Sequence, residues 1–205
     1  MPLFAVWRDM DHTMTAGDRE AQGVRTIATL GLLPGVHWLR SFVIDEPTRW
    51  QSMCLYSGPD LEQVTFGSTY CQLPFREIRP VVEVFPASYG LAEQADAPAD
   101  TPLFLVRRTI DTAGTEEELE ALTFRSAGCL SAFPGLRWEQ SFWDAERKES
   151  ACLYRAPSAA LLNDHAALAR ISCNTIEQVV EVHPRDWSGL YDTYGVAKYW
   201  ETDAG

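Results

Sequence analysis

Arg8, Ser41, Cys54, Tyr56 and Glu83 each recur about one hundred residues later, as Arg108, Ser141, Cys152, Tyr154 and Glu181. These are the residue types that bind or transform small molecules. A guanidinium pairs with carboxylates through two parallel hydrogen bonds. Hydroxyls orient a ligand, a thiolate attacks one, and a carboxylate moves protons. Arg8 stands two residues after Val6 and four after Phe4, so a strand puts all three on one face. Glu83 and Glu181 fall on the last strand of each half, which neighbours the first. An Arg–Glu pair across these strands is expected, in one of two roles: a half-buried ion pair that fixes register, or an anion anchor facing a cavity. Cys54 and Tyr56 share the face of another strand, as do Cys152 and Tyr154. A cysteine nucleophile needs a histidine or an electropositive pocket. No histidine lies beside both copies, so a small buried thiol is the expectation. Trp38 and Trp138 are expected in the core, with a stacking platform as the alternative.

The elements that carry these residues come from self-similarity. Pro2-Leu3-Phe4, Val6 and Arg8 recur at an offset of 100, as do Pro34-Gly35, Trp38 and Ser41-Phe42. From Ser52 onward the offset is 98, through Cys54-Leu55-Tyr56, Pro59, Ile78, Val81-Val82-Glu83-Val84 and Pro86. The reading is four segments: a first repeat over 1–86, an acidic Pro/Ala linker over 87–101, a second repeat over 102–184, and an aromatic-rich tail over 185–205. Each repeat reads β-α-β-β-α-β. Strand one is about Leu3–Asp9. A helix begins near Thr15, with Asp18 three residues on, and Thr115 with Glu118 repeats that cap. Pro34 ends the helix. Strands follow at Val36–Ile44, Ser52–Ser57 and Ile78–Phe85, with a second helix starting at Asp60. That order is the ferredoxin-like α+β unit. Its helices cover one sheet face, so the other face needs a partner. Two such sheets in one chain are expected to close an intramolecular, pseudo-dimeric α+β barrel.

The 205 residues carry a formal net charge of −12. Such a chain repels a phosphate backbone and anionic membrane surfaces, so neither nucleic acid nor membrane is an expected partner. No apolar run is long enough to span a bilayer. The five cysteines are odd in number, widely spaced and without a CxxC pair, which fits reduced thiols in the cytoplasm. There is no GxGxxG, no P-loop, no GxSxG and no HExxH.

An opening P-x-F-x-V, a G-V-x-W-x-x-S-F strand, a C-L-Y-x-x-P strand and a closing V-V-E-V stand at Pro2–Val6, Gly35–Phe42, Cys54–Pro59 and Val81–Val84. In these motifs the chain resembles a family of small proteins in the dimeric α+β barrel superfamily, a domain of unknown function with a member described as nickel-binding. The resemblance implies the barrel fold and a transition metal such as nickel, for which imidazole is a natural ligand. Of the four histidines, none recurs in both copies. One asymmetric site around His37 and Cys54, with His12 as a further ligand, is the metal expectation.

The functional expectation is therefore a small-molecule or nickel-type metal-binding protein, as a monomeric pseudo-dimer or a homodimer. The candidate ligand-binding residues are Arg8, His37, Trp38, Ser41, Cys54, Tyr56 and Glu83 in the first copy. In the second they are Arg108, Trp138, Cys152, Tyr154 and Glu181, with Ser141 as the counterpart of Ser41. The alternatives are a cofactor-independent cyclase, isomerase or oxygenase acting on a small aromatic or polyketide-like compound, and a structural or assembly module. The tail, with Trp187, Tyr191, Tyr194, Tyr199 and Trp200, is expected to lid a barrel opening or pack at an interface.

Overall fold

In the computed structural model, described over residues 1–45, 49–91, 94, 98, 100–110, 115–144, 146 and 148–202, strands and helices alternate as the sequence predicts. Strands β1 (Leu3–Met10), β2 (His37–Asp45), β3 (Trp50–Ser57) and β4 (Glu77–Val84) surround helices α1 (Ala16–Leu30) and α2 (Leu61–Tyr70). The order then recurs, with β5 (Leu103–Thr109), α3 (Glu116–Cys129), β6 (Arg137–Asp144), β7 (Glu149–Arg155), α4 (Ala159–Ala169) and β8 (Thr175–Val182). Two short helices follow, α5 (Ser188–Tyr194) and α6 (Tyr199–Thr202). The eight strands form a closed antiparallel barrel in the order β1-β3-β2-β8-β5-β7-β6-β4. The expected α+β barrel is therefore present. The chain divides into two compact units, one of residues 1–80 with 180–205, the other of residues 81–179.

In the first unit, Phe4, Val6 and Arg8 of β1 lie opposite Tyr56, Cys54 and Ser52 of β3. These residues, with Trp38 and Ser41, form the face that packs under the helices. Leu30, Val36 and Val64 join them in the core. Helix α1 starts where the sequence places it, because Thr15 accepts from the Asp18 amide while Asp18 accepts from the Thr15 amide. The end of β8 pairs with β2, Phe42 lying opposite Glu181. The tail packs on this unit: Tyr191 is buried, and the Tyr199 hydroxyl donates to the Trp38 carbonyl at 3.0 Å. The Trp187 ring lies so close to Gly23 on α1 that a Cβ there would sit 2.5 Å from it. Glycine is what lets the ring in.

The second unit repeats these devices. Phe104, Val106 and Arg108 of β5 lie opposite Tyr154, Cys152 and Ser150 of β7. Thr115 and Glu118 form the capping box of α3. Gly135 takes φ +84, a left-handed conformation that suits glycine, in the Pro-Gly turn entering β6. The end of β4 pairs with β6, Glu83 lying opposite Phe142. The described part of 87–101 packs on this unit. Tyr89 stacks edge-on to Phe124 at 4.8 Å, and Gln94 bonds both the amide and the carbonyl of Trp138. Residues 92, 93, 95–97 and 99 of that segment lie outside the described residues.

Candidate functional site

Between the sheet of the second unit and α3 lies a cavity of about 230 Å³. Arg108, Ser150, Cys152, Tyr154, Trp138 and Ser141 form its sheet wall. Leu119, Leu122, Thr123 and Ser126 descend from α3, and Arg170, Ile171 and Ser172 close one side. The strand pairing explains why the sheet residues converge, since alternation sends Arg108, Cys152 and Tyr154 to one face. A bulge explains the tryptophan and serine. The register of β6 on β7 shifts between Trp138 and Gln140, so Trp138 and Ser141, three residues apart, share a face. The Trp138 indole N–H donates to Ser141 Oγ at 2.9 Å.

Arg108 is only 4% exposed. Its Nη1 donates to the Ser172 carbonyl at 2.5 Å, while Nε and Nη2 have no acceptor within hydrogen-bonding distance. Its guanidinium lies 5.9 Å from the centre of the Tyr154 ring. Burial pushes the Tyr154 hydroxyl up to about 12, so it is neutral at physiological pH. The cavity thus holds a buried permanent cation among neutral groups. Among the described lining residues there are two arginines and neither aspartate nor glutamate.

The first unit has a smaller counterpart of about 120 Å³, lined by Arg8, Trp38, Ser41, Cys54, Tyr56 and Trp187 among others. Its geometry matches locally: Trp38 donates to Ser41 Oγ at 2.9 Å, and burial raises the Tyr56 hydroxyl far above its ordinary range. The arginine differs. Arg8 donates through Nη1 to the Leu73 carbonyl at 2.9 Å and through Nη2 to Ser68 Oγ at 3.4 Å. The residue that aligns with Ser68 in the second unit is Ala166, which offers no acceptor.

Arg8, Trp38, Ser41, Cys54 and Tyr56 thus line one cavity, and Arg108, Trp138, Ser141, Cys152 and Tyr154 line the other. His37, Glu83 and Glu181 line neither. The Arg8–Glu83 pair expected across the strands is not formed. Arg8 is turned to carbonyls and Ser68, and Glu83 accepts from Gln140 Nε2 at 2.7 Å. Glu181 pairs with Arg40 at 3.2 Å and lies 3.4 Å from His183, while Arg108 donates to Ser172. The strand pairing accounts for this, because Glu83 lies opposite Phe142 of β6 and Glu181 lies opposite Phe42 of β2.

The three metal candidates are also apart in kind. His12 is exposed after β1, His37 is half-buried with its ring 5.0 Å from that of Tyr199, and Cys54 is buried with Sγ 3.3 Å from Ser52 Oγ. Among the described residues, no group of three or more His, Cys, Asp or Glu side chains comes together to hold a metal ion. Cys54 also lies beside Arg8, and Cys152 beside Arg108, where a fixed cation opposes a second one. These residues do not fit a nickel ion.

Ser150 was legible as a repeated residue but not as part of a site. Thr123, Ser126, Arg170 and Ser172 were not legible at all, because they differ from their counterparts Gly23, Thr26, Gln72 and Pro74. The one signal they carried was that divergence, in segments that flank a repeated arginine.

Over residues 104–179 the chain is similar to the family described as nickel responsive protein SCO4226-like. No curated protein matches it. Among solved structures, a mutant chlorite dismutase from Candidatus Nitrospira defluvii superposes with a TM-score of 0.55 at 8% identity, covering 94% of each chain. A putative chlorite dismutase, TA0507, superposes with a TM-score of 0.51 at 12% identity, covering 92% of this chain and 99% of the other. At such identities the likeness is one of fold alone.

Proposed function

We propose that the chain is a small-molecule-binding protein whose ligand occupies the cavity beneath α3 in the second unit. The observation that carries this reading is a space of about 230 Å³ beside a 96%-buried arginine (4% exposed) with two unused donors. That space holds roughly eight waters at ~30 Å³ each, so it suits a metabolite-sized compound. Its walls are largely apolar with a few convergent polar groups, as binding pockets are. Binding is favoured over acid–base catalysis because the described lining residues include no histidine or carboxylate, and Tyr154 is held neutral.

Calorimetry with indole, benzamide and benzoate tests this. At least one probe is expected to bind saturably, one per chain, and to bind at least tenfold more weakly to Leu122→Trp, which fills the cavity. Failure of all three to saturate, or equal binding by the filled variant, contradicts the reading. Nickel titration of the same protein is expected to give no stoichiometric uptake.

A further inference from the structure

The charges around the second unit's cavity do not balance. Arg108 lies buried at its floor with Nε and Nη2 lacking acceptors, although the chain as a whole carries a net charge of −12. A guanidinium keeps its proton under all ordinary conditions, so it cannot relieve the cost of burial by neutralising itself. A buried charge without a partner is expensive, and one opposite charge with good geometry offsets much of that. Arg170, at the left-handed end of α4, adds an exposed cation at the edge of the same cavity. Acids are plentiful elsewhere in the chain, and none is among the described residues of this lining. Tyr154, Cys152 and Cys173 act on Arg108 electrostatically, as Arg108 does on His165, and burial raises both Tyr154 and Cys173 toward their neutral forms.

The comparison between units sharpens the point. In the first unit Ser68 takes up Arg8 Nη2. In the second the aligned residue is Ala166, buried at 3% exposure, which offers Arg108 Nη2 no acceptor. Arg8 thus keeps one buried donor without an acceptor, Nε, whereas Arg108 keeps two, Nε and Nη2. The remaining walls near the arginine are Val84, Leu119, Leu122, Trp138 and Trp143, an apolar bed for the body of a ligand.

We infer that the ligand of this cavity is a small organic anion, a carboxylate on an apolar body, held by the Arg108 guanidinium. This rests on the reading of the cavity as a ligand site and adds the chemical class.

The test compares benzoate with benzamide, which has nearly the same shape and no charge, by calorimetry at constant ionic strength. Benzoate is expected to bind at least tenfold more tightly to the wild-type chain. Arg108→Gln is expected to bring benzoate down to the benzamide level. Ala166→Ser, which supplies the hydroxyl that Ser68 gives in the first unit, is expected to weaken benzoate severalfold and leave benzamide unchanged. Arg108→Lys keeps the charge, and is expected to retain part of the preference should Arg108→Gln fold poorly. Equal binding of the two probes, or a preference for benzoate that survives both Arg108→Gln and Ala166→Ser, overturns the inference while the ligand site stands. Binding of indole alone does the same. If none of the three probes binds, the ligand site and its anionic ligand fall together.

Discussion

Trp138 and Ser141 show how far single residues can be read. Their recurrence as Trp38 and Ser41 marks them as important without naming a partner for either. The bulge joins each tryptophan to the serine three residues along its own strand. Ser141→Ala leaves a buried indole N–H without an acceptor, and is expected to cost about 1–3 kcal/mol of stability. Denaturant unfolding of the variant measures this, and a change within error would mean that the bond is not needed. His165 is a residue that the sequence leaves ambiguous. It is fully buried, its Nε2 lies 3.0 Å from the Ser126 carbonyl, and burial lowers its pKa from the ordinary 6.5. Below pH 6.5 the unfolded chain therefore takes up a proton that the folded chain resists. Stability from this residue is present above that pH and is lost on acidification. His165→Gln is expected to lose less stability than the wild type between pH 7.5 and 5.5 in thermal melts. Equal losses would show that His165 does not set this limb.

At the scale of elements, the helix starts were the most legible feature. Thr15 with Asp18 and Thr115 with Glu118 satisfy amide groups that the first turn leaves open, and both capping boxes are present. Thr115→Ala is expected to cost about 1 kcal/mol, measured by denaturant unfolding. No effect would place the start of α3 under tertiary control instead. The strands were read to within one or two residues because alternation and the Pro-Gly turns mark their ends. The tail and the 87–101 segment were harder to place. Their aromatic and polar residues announce burial without naming a partner, and only the fold shows Trp187 against Gly23 and Gln94 against the Trp138 backbone. Glu83 was misread for a related reason, because the end of β4 that carries it pairs with β6, opposite Phe142.

For the whole molecule, the βαββαβ pattern and the unpaired sheet face were enough to foresee a closed barrel. The site was only half legible. Its sheet wall is made of recurring residues, whereas the wall from α3 and the edge after α4 is made of residues that differ between the halves. The metal expectation came from resemblance, and the scattered His12, His37 and Cys54 do not support it. A ligand beside a buried cation is what the geometry supports. The most direct test is an amide NMR titration with benzoate. The account predicts saturable shifts concentrated at Leu119, Leu122, Thr123, Ser126 and Ser172 around the second unit's cavity. Shifts confined to other residues, or no saturable shifts at all, would contradict it.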